Sequence, residues 1–394
     1  MKTKILFLYL VMVFLTISGF SQDVVKPNEA KKITLEPEQT KTLRLNLKKD
    51  DFAGVEISAN ESSNFSYKIF APSGKNLLDY AVSFENAFSF VASEDGEYKI
   101  EITPHKSEDV PAAREVTVKY KNKFVLPAKS VLKATRKVNG YEAKIYEVDN
   151  EDGDAYLLIE KGGKLKFISK GSKIATGLHF ADTAEKDDAT GIKSSANLFR
   201  ATADKTGDGT PDIAVEYYSG GAHCCFSLYF YELGNEIKPI KSLDTGDAQT
   251  IAVGKMPDGS LKLSTGDNTF AYWNTSFAES PIPEVILTFR DGEFRPDAKL
   301  MQKPAPNLVK LKQEAATVRR KMPPDTYIAE KGASFGDIFW SKMLDLIYSG
   351  HEDLAWQYFD LAWNPKKKGK ELFKQDFKNQ LSNSKFYRMY LESK

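Results

Sequence analysis

Nine residues carry the clearest chemistry in this chain: Asp204-Lys205-Thr206-Gly207-Asp208-Gly209-Thr210-Pro211-Asp212. Oxygen-bearing side chains stand at positions one, three, five and nine, with Gly209 at six. In such a loop alternate side chains point inward and the glycine allows a sharp bend. The residue at seven, Thr210, offers its carbonyl, so the segment can wrap a hard cation. Three carboxylates, a hydroxyl, a carbonyl and water would supply the roughly six to eight oxygens that Ca²⁺ takes, and Mg²⁺ suits so protein-rich a cage less well. An EF-hand would need a bidentate Glu at position twelve, where this chain has Val215, and would continue into a helix. Here Ile213-Ala214-Val215-Glu216-Tyr217 reads as a strand. The alternative is an Asp/Gly turn that holds no ion.

The loop resembles the calcium loop of FG-GAP or VCBS-type repeats, in which the last Asp opens a strand. That resemblance implies side-chain oxygens from Asp204, Thr206, Asp208 and Asp212, the main-chain carbonyl of Thr210, and one structural Ca²⁺. Thr206 departs from the Asp or Asn common there and lowers the ligand charge. Propellers of that family need about seven blades of roughly 40–50 residues, more than this segment holds. Lys255–Leu263 keeps the Asp258-Gly259 turn and loses the other acids, as a decayed second copy would. An open or partial meander with one ion is therefore expected.

Both cysteines of the chain lie in Ser219-Gly220-Gly221-Ala222-His223-Cys224-Cys225-Phe226. A metal site is disfavoured, because neighbours on a strand point to opposite faces and no second His/Cys pair is near. A Cys/His nucleophile is disfavoured for the same geometric reason. A vicinal disulfide Cys224–Cys225 in an oxidising compartment and reduced core packing both stay open. Thr269–Phe277 is the densest aromatic cluster: Tyr272, Trp273 and Phe277 could stack on a sugar or a peptide if exposed, and are core if buried. His105, His179 and His351 show no ligand spacing. No nucleophile elbow, zincin, Walker or dinucleotide motif is present.

The elements that must hold these residues follow from pattern. The 394 residues balance 55 Lys+Arg against 54 Asp+Glu, a net charge of +1 that argues against nucleic-acid binding by the whole chain. Hydrophobic residues at 41% are enough for packed cores. Residues 1–21 read as a signal peptide: Lys2 and Lys4, an apolar run from Ile5 to Ile17, then Gly19 and Ser21 at the small-residue positions. The run is shorter than the ~20 residues of a membrane span. An exported protein with no membrane span after cleavage is expected.

Residues 22–122 alternate polar and apolar, as in Thr42-Leu43-Arg44-Leu45-Asn46-Leu47 and Tyr98-Lys99-Ile100-Glu101-Ile102. Through Lys68-Ile69-Phe70-Ala71-Pro72-Ser73-Gly74-Lys75 and Glu94-Asp95-Gly96-Glu97-Tyr98-Lys99-Ile100, this region resembles the bacterial pre-peptidase C-terminal domain. The resemblance implies a jelly-roll-like β-sandwich with an accessory role. Residues 125–300 are β-rich and carry the loop. Residues 305–394 switch to helical spacing, and from 301 onward hold 17 basic against 11 acidic residues, with Lys366-Lys367-Lys368-Gly369-Lys370 read as a solvated loop. The fold class is mostly β with C-terminal helices.

These readings converge on an exported, calcium-stabilised, non-catalytic binding or accessory protein for a glycan, peptide or protein. The alternative is a secreted hydrolase with its active site between the central and helical regions. A weaker third reading is a periplasmic assembly partner using the basic helical end.

Overall fold

The computed structural model describes residues 24–36, 39–59, 65–80, 87–104, 114–151, 153–172, 177–183, 192–221, 224–329 and 338–394. The expected signal peptide, His105 and His223 lie outside them. The chain forms two compact units, Met1–Leu126 with Lys164–Ser169 and Pro127–Gly163 with Lys170–Lys394. It is mostly β with C-terminal helices, and among the described residues no sheet closes into a barrel or propeller.

The first unit has strands β1 (Ala30–Leu35), β2 (Lys41–Leu47), β3 (Phe52–Ala59), β4 (Phe65–Phe70), β5 (Asn76–Tyr80), β6 (Ala87–Val91), β7 (Gly96–Pro104) and β8 (Arg114–Lys121). They make two four-stranded antiparallel sheets, β1-β8-β3-β6 and β2-β7-β4-β5. Period-two alternation fixes which face is buried. Leu43 and Leu45 lie opposite Ile100 and Tyr98, and all four are fully buried. Val55, Ile57, Val116 and Val118 from the other sheet complete the same core.

Three antiparallel meanders follow β8 in sequence, and Lys164–Ser169 of the first are counted to the first unit. The first contains β9 (Ser130–Val138), β10 (Tyr141–Val148), β11 (Asp154–Lys161) and β12 (Lys164–Ser172), in spatial order β12-β11-β10-β9. The second has β13 (Gly177–Phe180), β14 (Asp212–Gly221), β15 (Cys224–Leu233) and β16 (Ile237–Pro239), with β17 (Leu243–Gly246) paired to β15. The third has β18 (Ile251–Lys255), β19 (Leu261–Gly266), β20 (Glu284–Arg290) and β21 (Glu293–Pro296) in sequential order.

Helix α1 (Ile192–Ala201) packs on β18. Helices α2 (Ala298–Met301), α3 (Leu308–Lys321), α4 (Ile338–Tyr348), α5 (Glu352–Ala362), α6 (Lys370–Asn383) and α7 (Lys385–Glu392) follow the last strand. Asn307 caps α3 by accepting from the Val309 and Lys310 amides at 2.9 and 3.1 Å, as an N-terminal Asn should. Ser384 separates α6 from α7 and accepts from the Tyr387 amide at 2.8 Å. Sheet residues such as Phe230, Leu263 and Phe294 and helix residues such as Phe339, Trp340, Phe373 and Phe377 belong to one apolar core. Lys367 corrects one expectation: it is buried and ion-paired with Asp325, so the basic run is not wholly solvated.

Candidate functional site

The loop at 204–212 is organised around two carboxylates. Asp204 Oδ1 accepts from the Thr206 and Gly207 amides at 3.1 and 2.6 Å, and Oδ2 accepts from the Gly209 amide at 2.7 Å. Asp212 opens β14 and is 1% exposed. Its Oδ2 accepts from the Lys205 amide at 2.7 Å and from the Thr206 amide at 3.3 Å. The Thr206 hydroxyl lies 3.2 Å from Asp204 Oδ1 and 3.4 Å from Asp212 Oδ2. Asp204, Thr206 and Asp212 are thus brought together.

Asp208 is not brought to them by any of these bonds: its Oδ1 accepts from the Thr210 amide at 2.8 Å in a local turn. Among the described residues no three Asp, Glu, His or Cys side chains form a metal-sized cluster. The donors that do meet, two carboxylates and a hydroxyl, are hard oxygens of the kind Ca²⁺ prefers.

Two buried groups set the electrostatics. Asp212 Oδ1 is buried and has no hydrogen-bond partner. Burial pushes the Asp212 carboxyl up to about 7, against the opposing pull of the Lys205 amide and charge. Burial pushes the Lys205 ammonium down to about 8, opposed by the Asp212, Asp182 and Asp204 charges. Lys205 Nζ donates to the main-chain oxygens of Thr202 at 3.0 Å and Asp212 at 2.6 Å.

The Asp258-Gly259 turn packs directly on this loop. Gly207 has φ +81°, and a Cβ there would stand 3.0 Å from Ser260 Cβ and 3.2 Å from Asp258 Cγ. The Leu261 amide donates to the Lys205 carbonyl at 2.9 Å. Asp258 turns its Oδ1 to the Ser260 amide and hydroxyl at 2.9 and 2.6 Å.

Cys225 is disulfide-bonded, and Cys224 is the chain's other cysteine. The Cys225 amide donates to Ser219 Oγ at 2.7 Å, and the β14–β15 register shifts between Tyr218 and Gly221. His179 Nε2 is 3.3 Å from Glu216 Oε1, and His351 Nε2 is 2.8 Å from the Lys303 carbonyl.

The aromatic cluster divides. Phe270 is buried, and Trp273 packs edge-on against it and against Trp340, at 5.1 and 5.6 Å between centroids. Tyr272 is 56% exposed, with its ring 5.4 Å from that of Phe277. A cavity of 740 Å³ opens between residues 272–275 and α6. Sequence reasoning missed its far wall. Asp376, Asn379, Gln380 and Asn383 stand at i, i+3, i+4 and i+7 of α6, on one face of the helix, while Phe373, Phe377 and Leu381 face the core. That polar stripe was the available signal. Tyr327 links the walls: its hydroxyl donates to Asp376 Oδ2 at 3.1 Å and lies 3.3 Å from Asn274 Nδ2. Asp376 is the one carboxylate among the described residues that line the cavity.

No curated protein matches the chain. Among solved structures, Aeromonas hydrophila PliG, a periplasmic lysozyme inhibitor of g-type lysozyme, is 14% identical; the match covers 24% of this chain and 85% of that one, with a TM-score of 0.19. Its Salmonella Typhimurium counterpart is 16% identical, with 25% and 96% covered and a TM-score of 0.19. The pre-peptidase C-terminal domain of Bacillus anthracis collagenase is 12% identical, with 25% and 93% covered and a TM-score of 0.22. The FG-GAP or VCBS likeness rests on the loop residues alone. Residues 30–152 match the family model emp24/gp25L/p24 family/GOLD, a match that runs from β1 to β10 and includes both sheets of the β-sandwich.

Proposed function

We propose that this chain is an exported, non-catalytic binding protein whose 204–212 loop takes one stabilising Ca²⁺. The supporting observation is Asp212: its buried Oδ1 has no donor. A buried carboxylate oxygen without a partner is unfavourable, and a divalent cation held with Asp204 and Thr206 would satisfy it. Such an ion binds the folded loop and not the unfolded chain, so its binding free energy adds to stability. Export is supported by the apolar run at 5–17 and by a disulfide at Cys225, a bond that persists in oxidising compartments.

The test is a thermal melt of the mature chain with chelator and with added Ca²⁺. A higher Tm with calcium, lost in Asp204→Asn, supports the reading. A Tm insensitive to chelator and to added calcium removes the ion from it.

A further inference from the structure

The cavity beside α6 has a chemistry that the loop does not explain. Its walls present amides (Asn274, Asn379, Gln380, Asn383), one carboxylate (Asp376) and the exposed ring of Tyr272. No Lys or Arg is among the described residues lining it. We propose that this groove is a binding site for a neutral oligosaccharide, the ligand class that the binding-protein reading leaves open and on which this assignment rests.

Four observations point the same way. Carboxamides both donate and accept, as sugar hydroxyls do, so a wall of them can pair with a dense array of hydroxyls. Among the described lining residues no cation is placed to neutralise a phosphate or an acidic sugar. An exposed tyrosine ring offers an apolar face at low conformational cost, which suits the C–H face of a pyranose. The 740 Å³ volume falls in the range of about 300–1,000 Å³ usual for small-ligand sites.

The groove is also held in shape. Tyr272 and Asn274 have φ of +60° and +57°, a left-handed conformation that is uncommon for tyrosine. Backbone of this kind persists where the surroundings over-determine it, and it clusters at ligand clamps. Here the Tyr272 amide donates to Ser280 Oγ at 2.8 Å, and Gln380 Nε2 donates to the Thr269 carbonyl, tying α6 to the turn. A peptide would need a free strand edge or apolar side-chain pockets. The described walls are a turn, Tyr327 with Ala329, and a polar helix face, with no strand edge among them.

The experiment is an array of neutral oligosaccharides of glucose, mannose, galactose and N-acetylhexosamine, probed with the mature chain in calcium-containing buffer. Hits are then titrated by calorimetry. At least one neutral glycan is expected to bind saturably, with tetragalacturonic acid not binding. Asn379→Ala with Asn383→Ala, on an exposed helix face where Ala favours the fold, should weaken binding about tenfold, as should Tyr272→Ala. Gln313→Ala, exposed on α3, should leave binding unchanged. The assignment is overturned if no neutral glycan binds, if tetragalacturonic acid binds as well, or if the bound glycan is cleaved. Binding that survives the groove variants overturns the site alone and leaves the binding-protein reading standing.

Discussion

Tyr348 at the end of α4 donates its hydroxyl hydrogen to Oδ2 of Asp267, the residue that follows β19. Ser384 donates to the same oxygen, and the Thr269 amide and hydroxyl donate to Oδ1 at 2.9 and 2.5 Å. Both Asp267 and Tyr348 are buried. A carboxylate taken out of water is tolerable only when its lone pairs are met, so this cluster fastens the helices to the third meander. Tyr348→Phe is expected to destabilise by about 1–3 kcal/mol, because it removes one donor from a buried charge. Asp267→Ala should be worse, since it strands several donors at once. Urea denaturation of the two variants checks the order.

Replacement of single loop acids separates the carboxylates that meet from the one that does not. Asp204→Asn and Asp212→Asn should each abolish the calcium-dependent rise in Tm, because both carboxylates face Thr206. Asp208→Ala should retain part of it, since its carboxylate is turned to the Thr210 amide. Equal loss in all three variants would mean that Asp208 swings in to join the ion.

Alkaline pH should loosen the helical part of the second unit. Burial pushes the hydroxyls of Tyr327 and Tyr387 up to about 12, and holds Tyr348, Tyr358 and Tyr390 above the ordinary tyrosine range of about 10. The folded state therefore keeps these protons more tightly than the unfolded chain. Their contribution to stability is whole below about pH 10 and is lost as pH rises through about 12. Denaturant midpoints measured across that window should fall while tyrosinate absorbance rises. A flat midpoint would refute the assignment.

Gly369 precedes α6 with φ +87°, and a Cβ there would stand 2.9 Å from the Tyr327 carbonyl. Gly369→Ala must therefore adopt a strained backbone and press on the residue that bridges the groove. A loss of about 1–3 kcal/mol is expected, read as a lower midpoint in thermal or urea unfolding.

Local pattern carried far into this fold, but only where neighbours in sequence are neighbours in space. Leu43, Leu45 and Leu47 alternate and are buried on one face of β2. Ser349-Gly350-His351, with a glycine of the kind that ends helices, separates α4 from α5. Asp204 and Asp212, eight positions apart, do converge on Thr206. The groove was harder to see, because its walls come from 272–275 and 376–383 and meet only through tertiary packing. Asp267 gave no signal for the same reason: Tyr348 and Ser384 lie 81 and 117 positions away. Aromatic density around Trp273 marked the right segment, yet the alternation that would separate core from surface is absent in a turn, so Phe270 went inward and Tyr272 outward.

Strand β19 is only six residues long, yet each end is clamped by an acid-centred cluster. Leu261 is tied to the 204–212 loop, and Asp267 begins where the strand stops. The strand thus joins the two clusters over a short, buried stretch of backbone. Amide exchange along β19 should accordingly rise and fall with the condition of either anchor, making this strand the natural gauge of the whole second unit.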